Sequence, residues 1–251
     1  MNKIVLGNLP KRDYQVQTEI DRLRVNVGFF GADKKIIMVS SSGQNEGKSY
    51  ISVCMWLELA KAGKRVCFVD ADMRKSNLRT DLQLKLENQD ELLGLSHYLA
   101  GRCELDEVVY TTNLPNAYLI PTITLINPSL LFEGGRFNDM LSALREQFDY
   151  VIIDTPPLGL VSDGLLIASK CDGCVLVVRA HLTSRAQARE SVNQLKRVEC
   201  PLLGVVLNRL EHKHLKGYYR NRYYKGYYKG YYKGYYQKSP YTNAKKEEQN
   251  T

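Results

Sequence analysis

The amino-acid sequence predicts an α/β fold in which a doubly wound, mostly parallel β-sheet carries helices on both faces. Short apolar runs rich in β-branched residues recur along the chain without polar alternation, which is typical of strands buried on both faces. Segments with helical spacing of apolar residues separate these runs, and strands that alternate with helices form parallel βαβ units. In such sheets, ligands bind at the carboxyl ends of the strands.

The predicted strands are five apolar runs, at residues 36–39, 66–69, 150–153, 175–178 and 202–207. The predicted helices lie at residues 19–30, 48–62, 92–99, 128–146, 160–169 and 183–198. The less regular region from 79 to 127 is expected to be an excursion beside the core. We therefore predict a flexible N-terminus at 1–15, a folded domain at 16–212 and a disordered tail at 213–251.

Charge is distributed unevenly along the chain. The chain has 35 Lys and Arg residues, of which 11 lie from residue 209 onward, and 27 Asp and Glu residues, of which 3 lie there. The part before residue 209 therefore holds 24 residues of each sign. A neutral body argues against a nucleic-acid-binding surface there, and we expect no nucleic-acid partner. The segment after 216 repeats Tyr-Tyr-Lys-Gly and holds 11 of the 17 tyrosines within 24 residues. This composition cannot form a packed core, so it predicts disorder.

The compartment is predicted from what the sequence lacks. No apolar run approaches the ~18–20 residues that span a bilayer, and the N-terminus is too short an apolar stretch for a signal peptide. Six cysteines include a CxxC at Cys171 and Cys174, but no second ligand pair at zinc spacing accompanies it. We interpret these cysteines as small buried hydrophobes and predict a cytoplasmic protein.

A phosphate-binding loop follows the first predicted strand and opens a helix. The loop runs from Ser42 to Ser49 and ends in Gly47-Lys48-Ser49, with Ser42 at the position where such loops usually carry their first glycine. Its backbone amides and the helix N-terminus favour phosphate, Lys48 is expected to reach the β- and γ-phosphates, and the Ser49 hydroxyl is expected to ligate Mg²⁺. ATP contacts are predicted at Gly43, Gln44, Asn45, Glu46, Gly47, Lys48, Ser49, Tyr50 and Asn208.

Acidic residues follow two further predicted strands. Asp70 and Asp72 come after the second strand, and Asp154 comes after the third. Carboxylates at these positions lie at the ligand-binding edge of the sheet. Asp154 fits a magnesium ligand through water. Of Asp70 and Asp72, one could hold the metal shell while the other takes a proton from an attacking hydroxyl or water.

At this point the sequence resembles the bacterial tyrosine kinases of capsule and exopolysaccharide operons, which are phosphate-loop ATPases. The resemblance covers about residues 16–240. It rests on the loop ending at Ser49, the acidic segments at 69–74 and 152–157, and the tyrosine cluster. Two departures are visible. The family's N-terminal Glu-x-x-Arg-x-x-Arg is one residue short at 19–24, and the basic Lys75 is followed by Ser76 where the family usually has proline.

The resemblance implies roles for the site residues. Lys48 and Ser49 would bind ATP and Mg²⁺, Asp72 and Asp154 would complete the metal shell, and Asp70 would be the catalytic base. The autophosphorylation sites would be Tyr218, Tyr219, Tyr223, Tyr224, Tyr227, Tyr228, Tyr231, Tyr232, Tyr235 and Tyr236. The implied function is regulation of polysaccharide synthesis and export.

The resemblance also implies partners. A membrane-anchored polysaccharide chain-length regulator would activate the kinase at the inner face of the cell membrane. Further copies of the chain, in a ring or a smaller oligomer, and a tyrosine phosphatase are also expected. The shortened motif at 19–24 leaves the oligomer size open.

A second class of protein shares the same predicted sheet. Partition ATPases of the Min and Par type would use the loop for regulatory hydrolysis, and the basic aromatic tail would then bind nucleic acid or anionic membrane. Those proteins carry a lysine early in the loop, where this chain has Gly43, and they lack a tyrosine tail. The kinase is therefore the favoured prediction.

Overall fold

The computed structural model describes residues 2–87, 91–125 and 128–210, and all elements below belong to its compact unit Met1–Asn208. The strands in these residues are β1 (Lys3–Val5), β2 (Ile36–Ser41), β3 (Val66–Asp70), β4 (Lys85–Leu86), β5 (Tyr110–Thr112), β6 (Ala117–Ile120), β7 (Tyr150–Asp154), β8 (Gly173–Arg179) and β9 (Leu202–Asn208). The predicted disordered tail lies outside the described residues.

The helices in the described residues are mostly short. They are α1 (Tyr14–Val27), α2 (Lys48–Lys61), α3 (Leu78–Asp81), α4 (Leu95–Leu99), α5 (Leu105–Val108), α6 (Ser129–Glu133), α7 (Gly135–Gln147), α8 (Asp163–Ala168) and α9 (Arg185–Arg197). Over the same ranges, every helix is too short or too polar to cross a bilayer.

One mixed sheet organises the fold, with strand order β4-β1-β5-β6-β3-β7-β2-β8-β9. The six strands from β6 to β9 in this order are all parallel, whereas β5 pairs antiparallel with β6 and β4 antiparallel with β1. The predicted doubly wound, mostly parallel sheet is confirmed.

Alternate residues of the central strands pack into separate hydrophobic cores. In β3, Val66 and Phe68 pack into the core that contains α1 and α2, whereas Cys67 and Val69 pack into the core that contains α7. Both sets are fully buried, because side chains alternate between the faces of a strand. This two-sided burial explains why the strand reads as a continuous apolar run.

The N-terminus and the region from 79 to 127 contribute strands that sequence reasoning missed. Residues 1–15 were expected to be flexible, but β1 pairs with β4 and β5, and Ile4 is fully buried. That expectation is wrong for Lys3–Val5. The excursion supplies β4, β5 and β6, of which β6 pairs directly with central strand β3. These strands are two to four residues long, too short for a periodic signal.

Three element predictions need correction. The first helix starts at Tyr14, five residues before its predicted start, because the Asp13 side chain accepts a hydrogen bond from the Val16 amide (2.8 Å) and caps it. The helix predicted at 128–146 is two helices, interrupted at Gly134, which is extended. The run at 202–207 is an edge strand with Val205 and Leu207 about half exposed, and is not buried on both faces.

We predict that Leu144→Ala lowers the free energy of unfolding by about 2–5 kcal/mol, because Leu144 of α7 is fully buried and its truncation leaves a cavity. The matched control is Leu130→Ala, since the Leu130 side chain of α6 is 76% exposed and its loss should cost less than about 0.5 kcal/mol. Urea unfolding followed by circular dichroism measures both. Equal midpoints for the two variants would contradict the described core.

Candidate active site

The candidate site lies where three neighbouring parallel strands end. β7 sits between β2 and β3, so the loop after β2 and the acidic residues ending β3 and β7 share one edge of the sheet. Asp70 and Asp154 are register partners, and Val39 of β2 pairs with Asp154 on its other side. Parallel strands expose their carboxyl ends together, which brings distant parts of the sequence into one cluster.

The phosphate loop depends on one glycine. Gly47 adopts φ 92°, in the left-handed region, and caps the N-terminus of α2. A Cβ at Gly47 would stand 2.1 Å from the Asn208 side-chain nitrogen. By contrast, Ser42 does not adopt a positive φ. Ser42, at the usual first-glycine position, therefore adopts a backbone conformation that does not require glycine.

Glu46 holds the loop from within the protein. Its carboxylate is 3% exposed and accepts hydrogen bonds from the Ser42 amide (2.8 Å) and the Thr183 hydroxyl (2.5 Å). The Asn208 side chain donates to the Glu46 carbonyl oxygen at 2.9 Å. Both ends of the loop are thereby tied to each other and to the segments after β8 and at the end of β9.

The lysine and two of the carboxylates form one buried charge cluster. Lys48 Nζ lies 3.0 Å from Asp72 Oδ2, 3.5 Å from Asp154 Oδ2 and 3.1 Å from Ser49 Oγ. Burial acts to lower the pKa of Lys48, but the carboxylates of Asp154 and Asp72 outweigh it and hold that pKa above its ordinary value. The ammonium therefore stays charged at the point where a phosphate chain would meet the helix.

Asp70 has a different environment from the other two acids. It is 2% exposed, and burial raises the pKa of its carboxyl to about 7, although the hydrogen bond from Ser76 acts to lower it. Ser76 Oγ donates to Asp70 Oδ2, and the Asp72 amide donates to Asp70 Oδ1 at 3.3 Å. A carboxylate with a pKa near neutrality is suited to accepting a proton from a hydroxyl.

Sequence reasoning missed Ser52, one helical turn after Lys48. Its hydroxyl lies 2.8 Å from Asp154 Oδ1 and 2.6 Å from the Lys48 carbonyl oxygen, and its side chain is fully buried. It fixes the Asp154 carboxylate against the first turn of α2. The i, i+4 spacing from Lys48 was the available signal.

A second missed contact ties the loop after β3 to two helices. The Arg74 guanidinium donates to both carboxylate oxygens of Asp163 (2.5 and 3.1 Å) and to Ser129 Oγ (3.2 Å). Burial acts to raise the pKa of Asp163, but Arg74 and the Ser129 hydroxyl outweigh it and hold that pKa below its ordinary value. The acidic segment is therefore anchored at both of its ends, by β3 and by Arg74.

Most predicted nucleotide-site residues lie together, with one exception. Residues 43–49 and Asn208 meet at the loop, but the Tyr50 hydroxyl donates instead to the Lys11 carbonyl oxygen at 3.1 Å. The Glu46 side chain accepts hydrogen bonds from the Ser42 amide and the Thr183 hydroxyl. The ten predicted acceptor tyrosines lie outside the described residues.

The CxxC segment fits the buried-hydrophobe interpretation. Cys174 is buried and Cys171 is half-buried, and burial raises the pKa of both thiols. Across residues 2–87, 91–125 and 128–210, no group of three or more His, Cys, Asp or Glu side chains is arranged to hold a metal ion by itself.

Comparison with known proteins identifies the family. A family model described as an AAA domain matches residues 34–199. Tyrosine-protein kinase CpsD of Streptococcus agalactiae is 36% identical over 75% of this chain and 81% of its own length. The chain belongs to the bacterial tyrosine-protein kinase family. The predicted enzyme class, a tyrosine kinase related to capsule and exopolysaccharide kinases, is thereby confirmed over the partition-ATPase alternative.

Solved structures agree with the tyrosine-protein kinase assignment. The chimerical protein CapA2B2 superposes with a TM-score of 0.72 at 25% identity, covering 82% of this chain and 94% of that one. The kinase domain of Escherichia coli tyrosine kinase ETK gives 0.69 at 25% identity, covering 84% and 80%. The septum site-determining protein MinD of Pyrococcus horikoshii, complexed with Mg-ADP, gives 0.59 at 23% identity, covering 70% of each chain. The likeness to MinD shows the shared nucleotide-binding fold alone.

We predict that Gly47→Ala weakens nucleotide binding by about tenfold or more, equivalent to ~1.4 kcal/mol. The added methyl group would collide with Asn208 and distort the loop. Gly63→Ala is a matched control, because Gly63 also has a left-handed φ (84°) but its Cβ would meet nothing within 4 Å. Titration with a fluorescent ADP analogue measures both. Gly63 follows the opposite end of α2, so an equal loss of affinity in the two variants would contradict a specific effect of the contact with Asn208.

Proposed function

We propose that this tyrosine kinase binds ATP with Mg²⁺ at the Lys48 cluster and transfers the γ-phosphoryl group to tyrosines of its own C-terminal segment. The observation that carries the proposal is that three acids at one sheet edge have different hydrogen-bond partners. Asp72 and Asp154 contact Lys48, whereas Asp70 contacts a hydroxyl. Phosphoryl transfer needs groups that stabilise charge on the phosphates and a base that accepts the proton of the attacking hydroxyl.

The residues present fit a magnesium ion. Mg²⁺ prefers oxygen ligands and is usually held by one or two carboxylates plus substrate phosphates, not by a cage made of protein alone. The Ser49 hydroxyl and the carboxylates of Asp72 and Asp154 provide such a set around Lys48. When bound, the ion would neutralise charge on the phosphate oxygens.

The protein groups would then act as follows. The amides of the loop and Lys48 would orient the triphosphate, and Asp72 and Asp154 would hold the Mg²⁺ ion. Asp70 accepts the proton of the attacking phenol hydroxyl as the new oxygen–phosphorus bond forms. The Asn208 side chain, which donates to the carbonyl of Glu46, keeps the loop closed around the phosphates.

The acceptor assignment is supported by the sequence. Ten tyrosines between 218 and 236 occur in pairs, separated mainly by lysine and glycine. A phosphotyrosine adds about −1.5 to −2 charges, so about four or five would cancel the net +8 of the segment from 209 onward. Phosphorylation would therefore convert this segment from cationic to neutral or anionic.

The regulatory context is proposed from the family resemblance. A membrane-anchored polysaccharide chain-length regulator would bring the kinase to the inner face of the membrane, and a tyrosine phosphatase would reverse the modification. Contacts between copies of the chain, in a ring or a smaller oligomer, would allow transfer in trans. Control of polysaccharide synthesis and export would follow from cycles of phosphorylation.

We predict that labelled ATP with Mg²⁺ phosphorylates the full chain on tyrosine. Lys48→Met should reduce the label by about 10²-fold or more, because it removes the cation that meets the developing charge. Lys61→Met is the matched control on the same helix, since the Lys61 side chain is 75% exposed and lies outside the cluster. Release of phosphate without labelled protein would instead favour a regulatory ATPase.

A second prediction concerns the number of phosphates. Intact-mass and native mass spectrometry before and after ATP should show several phosphates on one chain, with a decrease in positive charge that scales with their number. Replacing the ten tyrosines by phenylalanine should abolish this series. A series that persists in that variant would place the acceptors elsewhere in the chain.

A further inference from the structure

The first residue of the phosphate loop contacts the second turn of helix α9. Ser191 of that turn is buried, and its Oγ lies 2.9 Å from Ser42 Oγ and 3.1 Å from the Gln187 carbonyl oxygen. A hydroxyl donates a single proton. Both contacts are hydrogen bonds when the Ser42 hydroxyl donates to Ser191 and the Ser191 hydroxyl donates to Gln187. This arrangement also gives the buried Ser42 hydroxyl an acceptor.

Ser42 is held from three directions. Its amide donates to the Glu46 carboxylate (2.8 Å), and its carbonyl oxygen accepts from the Gly159 amide (3.2 Å). Gly159 approaches so closely that a Cβ there would stand 2.4 Å from the Ser42 carbonyl oxygen. The third contact, with Ser191, uses the side chain at position 42. Glycine, the usual residue at this position of such loops, could not make it.

Other parts of the loop are also bonded to the surrounding protein. The Arg179 side chain donates to the Asn45 carbonyl oxygen at 3.2 Å, and the Ser41 hydroxyl donates to the Gly43 carbonyl oxygen at 2.8 Å. Carbonyl groups held in this way let the neighbouring amides face a phosphate. Asn45 has a left-handed φ of 59°, a conformation that persists in residues other than glycine when the surroundings fix it. The shape of the loop therefore depends on contacts with the rest of the protein.

We propose that Ser191 is a positioning residue of the nucleotide site, which holds the phosphate loop in its binding shape through the Ser42 hydroxyl. The proposal rests on the nucleotide binding proposed above and adds a residue of α9 that acts on the phosphates only through the loop. A loop that already has its binding shape loses less conformational entropy when the nucleotide binds. If only a fraction of the unliganded molecules has that shape, the apparent affinity falls in proportion to the fraction.

A purely structural role for Ser191 leads to a different expectation. Serines on helices commonly bond to the carbonyl group four residues earlier, as Ser191 does to Gln187, and a small side chain also suits close packing. In that case, removal of the hydroxyl would change the free energy of unfolding and leave the nucleotide affinity unchanged. Measuring affinity and stability on the same variants therefore distinguishes the two roles.

The test uses the full-length chain with Ser191→Ala, Ser42→Ala and the double substitution. The matched control is Ser169→Ala, because the exposed Ser169 hydroxyl bonds to the Leu166 carbonyl oxygen (2.9 Å) at the end of α8, away from the loop. Titration with a fluorescent ADP analogue and Mg²⁺ measures Kd, and urea unfolding measures stability. Amide hydrogen exchange, followed by NMR on the nucleotide-free chain, reports on the Ser42 and Gly159 amides.

We expect Ser191→Ala and Ser42→Ala each to raise Kd by about three- to tenfold, the factor that corresponds to one hydrogen bond of ordinary net strength. The double variant should bind no more weakly than either single variant, because both substitutions remove the same contact. The Ser42 and Gly159 amides should exchange faster in Ser191→Ala than in the wild-type chain, since the loop is released from α9. Ser169→Ala should change neither Kd nor these exchange rates.

The outcomes separate the proposal from the function on which it rests. An unchanged Kd in Ser191→Ala would overturn the proposal and leave Ser191 with a packing role. Losses of affinity that add in the double variant would also overturn it, because the two serines would then act independently. A wild-type chain that fails to bind the ADP analogue would reject the proposed nucleotide site itself. Wild-type binding with an unaffected Ser191→Ala variant would reject the positioning role alone.

Discussion

The site depends on balancing the positive charge of one buried ammonium group. Lys48 is nearly enclosed, with a side-chain exposure of 11%, and an isolated charge at that depth would be strongly destabilising. Asp72 and Asp154 supply the opposite charge, and they can do so only because β7 is inserted between β2 and β3. The strand order is therefore a condition for the charge cluster as well as for the fold.

A second constraint concerns how the phosphate loop keeps its shape. A loop whose amides are to face phosphate cannot use those amides to hold its own shape. The Glu46 carboxylate stabilises the shape of the loop, because it accepts hydrogen bonds from the Ser42 amide and the Thr183 hydroxyl at once. The hydroxyl of Thr183 also accepts a hydrogen bond from the Arg179 amide (2.9 Å). These hydrogen bonds connect the loop to the end of β8.

The three aspartates of the candidate site differ in their surroundings. Asp72 and Asp154 face the lysine, whereas Asp70 faces Ser76 and the Asp72 amide. The same side chain thus pairs with a buried ammonium group in one environment, whereas in the other burial raises its pKa to about 7. The resemblance to known kinases predicted separate roles for these aspartates, and their hydrogen-bond partners differ in the same way.

The sequence alone was sufficient for the parts of the protein that are governed by local patterns. Central strands such as 36–39 and 66–69 were recognisable because burial on both faces demands an unbroken apolar run, and the loop at Gly47 because phosphate binding demands a fixed spacing. The acids at 70, 72 and 154 followed from their positions after those strands. Family membership followed from the same motifs.

Tertiary structure decided what depends on pairing between distant segments. β1 and β6 are too short to show periodicity, and they exist because neighbouring strands complete their hydrogen bonds. The roles of Ser76 and Thr183 were not predictable from the sequence, since each acquires its role from one contact, with Asp70 or Glu46, that only folding creates. Local patterns therefore predicted the phosphate loop and the acids after the strands, while long-range packing decided how those side chains are held.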